Sequence, residues 1–173
     1  MYRISNYIIL FVVTMLLQTF VFDNLALSVY FNPLIYITIV ILLPVESLPV
    51  TVLLTGFATG FAADMLTGGE GLNAAATLPA ALLRQPLLTR YCSRDDLRDG
   101  GIPSARQMGG QWRFAGFAAT ITAIHHGLYF FMEALTFSHF FSTLLRIVLS
   151  GGFTLVFVVL TSRVFTDRKT PHI

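Results

Sequence analysis

Six stretches of this chain are apolar for about as long as a helix needs to cross a bilayer, roughly 20 residues with about 17 tolerated. Cut at proline, glycine and charge, they are Ile4–Phe22, Leu27–Leu43, Leu48–Leu66, Gly71–Leu88, Arg113–Ala134 and His139–Val164. The pattern predicts an all-α polytopic membrane protein, one transmembrane domain over residues 1–173 with six transmembrane helices and a loop at 89–112. Composition agrees, since 12% of residues are charged where a soluble domain has about 25%. The second and third runs are separated by Pro44–Pro49, whose Glu46 between two prolines marks a turn. The first run follows Arg3 as a signal peptide would. It exceeds an h-region of about 7–15 residues and no A-x-A site follows, so an uncleaved helix is expected.

Charge sets the expected orientation. With the N-terminus cytoplasmic, the inner side receives Arg3, the long 89–112 segment with Arg90, Arg94, Arg98 and Arg106, and the tail with Arg168 and Lys169. The outer turns, FDNLA, TGGE and LTFS, contain no Lys or Arg. This is the positive-inside pattern, and it places both termini in the cytoplasm. Loop 89–112 reads either as a solvated linker and orientation signal or as a docking site for anionic headgroups or a cytoplasmic partner. A net charge of +2 without a concentrated basic face argues against nucleic acid. Cys92, the single cysteine, excludes an internal disulfide.

Residues 56–64 read GFATGFAAD. At about 100° per residue, Gly56, Gly60 and Asp64 share a stripe of roughly 80°, a smooth helix-packing face that ends in a carboxylate. Gly151 and Gly152 suggest a second close approach. Counting depth from the outer boundary brings Asn32, Asp64, Glu133 and Arg146 to similar levels, and an ionised residue in a bilayer normally faces inward with a partner. An ion pair of Arg146 with Asp64, Glu133 or both is therefore expected. Helix five also carries His125, His126, Tyr129 and Glu133. His126, Tyr129 and Glu133 share a stripe that would suit a proton relay, or the histidines are core residues bonded to neighbouring helices. Arg84 either snorkels to the inner boundary or is buried with a partner.

Nothing favours catalysis or a bound cofactor. There is no G-x-S-x-G, H-E-x-x-H or G-x-x-x-x-G-K, and adjacent histidines without a ligand at i+4 do not make a metal site. No internal repeat suggests an inverted-repeat transporter.

The stretch LLTGFATGFAADMLTGGEGLNAAATLPAALLR, with Gly56, Gly60, Asp64, Gly71, Asn73 and Arg84, set in a small chain with short outer turns, resembles the MreD family of bacterial rod shape-determining membrane proteins. The resemblance implies a non-enzymatic component of the cell-elongation machinery, embedded in the cytoplasmic membrane as partner of the single-span MreC. MreB, the glycosyltransferase RodA and a class B penicillin-binding transpeptidase would act beside it in peptidoglycan synthesis. The family is also similar in fold to the S components of energy-coupling-factor vitamin transporters, which supplies a competing expectation. A vitamin carrier should hold an outer pocket of some hundreds of Å³ with convergent polar groups. A scaffold should fill that space, and Phe57, Phe61, Phe130, Phe131 and Phe153 are candidates to do so.

Overall fold

The computed structural model describes residues 4–24, 30–135 and 139–167, and all regular structure among them is helical. α1 (Ile4–Leu17) runs into a π-helical turn, Gln18–Phe22. It is followed by α2 (Ile37–Ile41), α3 (Pro49–Thr67), α4 (Leu72–Tyr91), α5 (Arg94–Asp99), α6 (Gln111–Ala134) and α7 (Phe140–Asp167). Arg3, Arg168, Lys169, the start of the second apolar run at 27–29 and most of the LTFS turn, at 136–138, lie outside the described residues.

Three segments are long and apolar enough to cross a membrane, Ser5–Phe22, Pro49–Thr67 and Phe140–Phe165. Their outward faces are greasy. Ile8, Val12 and Leu16 of α1, Leu54, Phe57 and Phe61 of α3, and Val148, Val156 and Leu160 of α7 are all exposed. A connected apolar surface of this kind matches hydrocarbon as solvent, as a membrane protein requires. The phenylalanines divide accordingly. Phe130 is buried, whereas Phe57 and Phe61 stack on each other at the surface and Phe153 is 38% exposed, so they do not fill the interior as expected of a scaffold.

Packing follows chain order, α3 on α4, α4 on α6 and α6 on α7. Pro49 opens α3 at a position where its missing N–H is harmless. Gly68 closes α3 in the left-handed region at φ 71°. Between these ends the glycine stripe faces α4. A Cβ on Gly60 would lie 2.6 Å from the Ala74 Cα and 2.7 Å from the Asn73 carbonyl oxygen. One on Gly56 would meet the Ala81 Cβ at 2.7 Å. The second glycine pair differs: at Gly151 a Cβ would come only to 3.7 Å from Thr122, and at Gly152 it would meet nothing within 4 Å. The expected close approach there is absent.

Two further expectations are revised. The second apolar run is not one long helix, because described residues 30–36 are non-helical and α2 is five residues long. The segment is enclosed by protein, with Leu34 to Leu43 all buried. Irregular backbone is tolerated at membrane depth only in such an enclosure. Loop 89–112 is likewise more ordered than a linker. α4 continues to Tyr91, and Ser93 and Asp96 form a reciprocal capping box that starts α5. Val45 N–H donates to the Gly101 carbonyl at 2.8 Å and Gly101 N–H to Glu46 at 2.8 Å, tying the Pro44–Pro49 turn to this loop.

Candidate functional site

An enclosed segment that leaves helical geometry must find partners for its backbone polar groups, since an unpaired buried one costs about 1–3 kcal/mol. Side chains from the surrounding helices supply them. Gln18 Oε1 accepts from Ile35 N–H at 2.8 Å, and its Nε2 donates to the Pro33 carbonyl at 3.2 Å. Asn32 N–H donates to Ser150 Oγ at 2.9 Å. Leu34 N–H approaches His126 Nε2 at 3.4 Å. At the far end Tyr7 donates to the Leu42 carbonyl at 3.2 Å. The Arg84 guanidinium donates to the Leu43 carbonyl and, at 3.3 Å, to that of Pro44.

The two histidines hold opposite tautomers. His126 Nδ1 lies 3.0 Å from the Thr122 carbonyl, which can only accept, so Nδ1 carries the proton. Its Nε2 then accepts from Leu34 N–H and from Thr154 Oγ1 at 3.2 Å. His125 is the reverse. Tyr36 gives its hydroxyl proton to Asn73 Oδ1 at 2.7 Å, and Thr77 gives its own to the Asn73 carbonyl at 2.6 Å. His125 Nε2, 3.0 Å from Tyr36 Oη and 3.2 Å from Thr77 Oγ1, must therefore be the donor. The row His126, Tyr129, Glu133 is not joined by hydrogen bonds among the described residues. Both rings instead bond to neighbouring segments, the core-histidine alternative.

Asp64 terminates the His125 chain. Its Oδ1 accepts from Asn73 N–H and Asn73 Nδ2, each at 3.0 Å, and its Oδ2 from Ala74 N–H at 2.9 Å. The N-cap position of α4 is Gly71, which has no side chain to offer. The Asp64 carboxylate, seven residues earlier, caps the helix in its place and meets the positive end of its dipole. Asp64 and Arg146 are thus not partners. Arg146 Nη1 bonds Glu133 Oε2 at 2.8 Å, and the guanidinium carbon sits 4.6 Å above the Phe130 ring. The expected four-residue cluster divides into an Arg146–Glu133 pair and an Asp64 cap, with Asn32 attached through its backbone to Ser150.

Arg84 is fully buried and does not snorkel. Its partners are carbonyls at the C-terminal end of α2, and its Nε and Nη1 have no partner among the described residues. Beyond the α1 and α3 ends lies a hollow of about 350 Å³ lined by Gln18, Asp23, Asn32, Tyr36, Asn73 and Tyr129. Arg90, Arg94, Arg98 and Arg106 are all exposed at the opposite end. There the Ser93 hydrogen bonds hold Asp96 below the usual carboxylate range. Burial pushes the Cys92 thiol up, the behaviour of a small core residue. Among the described residues no three His, Cys, Asp or Glu side chains gather as metal ligands do.

Sequence reasoning missed Gln18, Tyr36, Thr77, Ser150 and Thr154. Gln18 carried a signal, an amide following eleven residues, Tyr7 to Leu17, with no amide or charge among them, and the Asn32-Pro33 dipeptide is a turn initiator that divides the second run. The hydroxyl groups carried none, since Ser and Thr are common in transmembrane helices.

Compared with models of known protein families, with curated proteins and with solved structures, the chain gives no match in any of the three.

Proposed function

We propose that this chain is a non-enzymatic membrane scaffold of the bacterial cell-elongation complex, a protein of the MreD kind that binds MreC directly. It lies in the cytoplasmic membrane with both termini inside and crosses six times, the second crossing being the enclosed segment around α2. RodA, a class B penicillin-binding transpeptidase and MreB are reached through MreC.

The observation that carries this reading is the use of the interior polar groups. Gln18, His126, Ser150, Arg84 and Asp64 all bond to the chain's own backbone. Such groups fix a shape, and the apolar flanks of α1, α3 and α7 offer that shape to other membrane helices. Purification in mild detergent tests it. MreC should co-purify at a fixed ratio without a bound small molecule; recovery with an ATPase module overturns the scaffold.

One observation favours a second reading, the S component of a vitamin transporter. The 350 Å³ hollow is large enough for a small molecule, and its polar lining converges from four helical elements, the turn after α1, α3, α4 and α6, and from the 31–36 segment. Native mass spectrometry discriminates, because a carrier retains a stoichiometric ligand that Asn32→Leu releases, whereas a scaffold's mass equals that of the polypeptide and its lipids.

A further inference from the structure

The hollow beyond the α1 and α3 ends has a single charged residue in its lining, Asp23. Asp23 follows the π-helical turn and stands exposed at the mouth. Its Oδ1 accepts from Gln18 Nε2 at 2.8 Å, which leaves Oδ2 without a protein partner among the described residues. No guanidinium pairs with it among those residues. Arg146 is not in the lining and is engaged by Glu133 at 2.8 Å, and the turns FDNLA, TGGE and LTFS contain no Lys or Arg. Four aromatic rings, Phe22, Phe31, Tyr36 and Tyr129, share the wall with the carboxylate. Each is braced edge-on by a neighbouring ring: Phe22 and Phe31 by Phe153 at 5.4 and 5.3 Å, Tyr36 by His125 at 5.2 Å, and Tyr129 by Phe130 at 5.3 Å.

We infer that this hollow binds a small organic ammonium ion, its charge set against Asp23 and its carbon skeleton among the four rings. An anion would meet a carboxylate with no cation to answer it. A neutral apolar molecule would cover the carboxylate without pairing it. A bare metal ion needs several oxygen ligands, and one carboxylate among aromatic rings supplies too few. An alkylated ammonium satisfies both halves of the wall, because the carboxylate attracts its charge and aromatic rings favour a cation over their faces. The inference deepens the second functional reading and rests on its premise that the hollow takes a ligand. The same ammonium chemistry occurs in a free amine and in a phospholipid headgroup, and a headgroup occupant leaves the scaffold reading intact.

Equilibrium dialysis of radiolabelled choline against the full chain in maltoside micelles tests it, with unlabelled choline and its uncharged carbon isostere, neohexanol, as competitors. Choline should bind and be displaced by itself, with neohexanol weaker by about tenfold or more. Asp23→Asn keeps an oxygen for Gln18 and should lower choline affinity about tenfold, while Asp23→Glu retains most of it. Equal competition by neohexanol in the wild type overturns the inference, whether or not the variants fold. Unchanged choline affinity in Asp23→Asn also overturns it. Absence of choline binding overturns it as well: a ligand still retained in native mass spectrometry and released by Asn32→Leu would then keep the carrier reading alone, and no retained ligand would remove both. Phosphatidylcholine and phosphatidylglycerol, added at equal mole fraction, separate the sources. Displacement of choline by phosphatidylcholine alone assigns the site to a headgroup, displacement by neither assigns it to a free amine, and equal displacement by both contradicts an ammonium site.

Discussion

Gln18 and Ile35 are joined across the bundle by a 2.8 Å hydrogen bond, side-chain oxygen to backbone amide, and Gln18 returns a second bond to the carbonyl of Pro33. An amide side chain from one apolar helix thereby stands in for the helical partners that the 31–36 segment lacks. His126, Ser150 and Arg84 repeat the device from other helices. The polar residues inside this chain are explained first by the backbone they satisfy.

The glycines give a contrast within one molecule. Gly60→Ala places a methyl group against the backbone of Asn73 and Ala74, which cannot rotate away, so stability in detergent should fall by about 1–3 kcal/mol or more. Gly152→Ala meets open space and removes a poor helix former, so it should stabilise by roughly 0.5–1 kcal/mol. Thermal unfolding of the two variants checks both signs, and equal effects would remove the distinction between a packed and an open glycine.

Glu133 and Arg146 should behave as a coupled pair. Their side chains keep 32% and 22% exposure, so solvent screens the interaction and a double-mutant cycle with Glu133→Gln and Arg146→Met should return about 1 kcal/mol of coupling. Asp64→Asn should not rescue Arg146→Met, because Asp64 is held by Asn73 and Ala74. Rescue by Asp64→Asn would mean that the two charges meet.

How much of this could be read from the sequence depended on which physical rule each residue obeyed. The stripe Gly56, Gly60, Asp64 was legible because helical periodicity fixes its geometry, and the glycines do seat against α4. Glu133 and Arg146 were legible as charges in an apolar context. The partner of Asp64 was not, because depth counting assumed that a carboxylate needs a cation, whereas a glycine N-cap gives it a helix N-terminus instead. The break at 30–36 was hidden by composition, since a buried irregular segment is as apolar as a helix and differs only at Asn32-Pro33.

Acid should loosen α5. Hydrogen bonds from Ser93 lower the Asp96 pKa from its ordinary 3.8, so the capping box contributes stability that is fully present above pH 3.8. That contribution is lost as pH falls through the lowered value, when protonation discharges the acceptor of the Ser93 N–H. Amide exchange over residues 93–99, corrected for the intrinsic pH dependence, should accelerate below about pH 4 in the wild type. Asp96→Asn should remove this acid-dependent step, and a step persisting in that variant would assign it elsewhere.

Hydrogen exchange of residues 30–36 in the detergent-solubilised protein tests most directly whether buried side chains hold this non-helical segment. The wild-type segment should exchange as slowly as the core of α4 despite having no helical ladder. Gln18→Leu should leave the Ile35 amide and Pro33 carbonyl unpaired and raise exchange there by roughly one to two orders of magnitude, an opening made easier by about 1–3 kcal/mol, with α3 and α4 unchanged. Exchange of the wild-type segment at the rate of an open loop, or no response to Gln18→Leu, would contradict it.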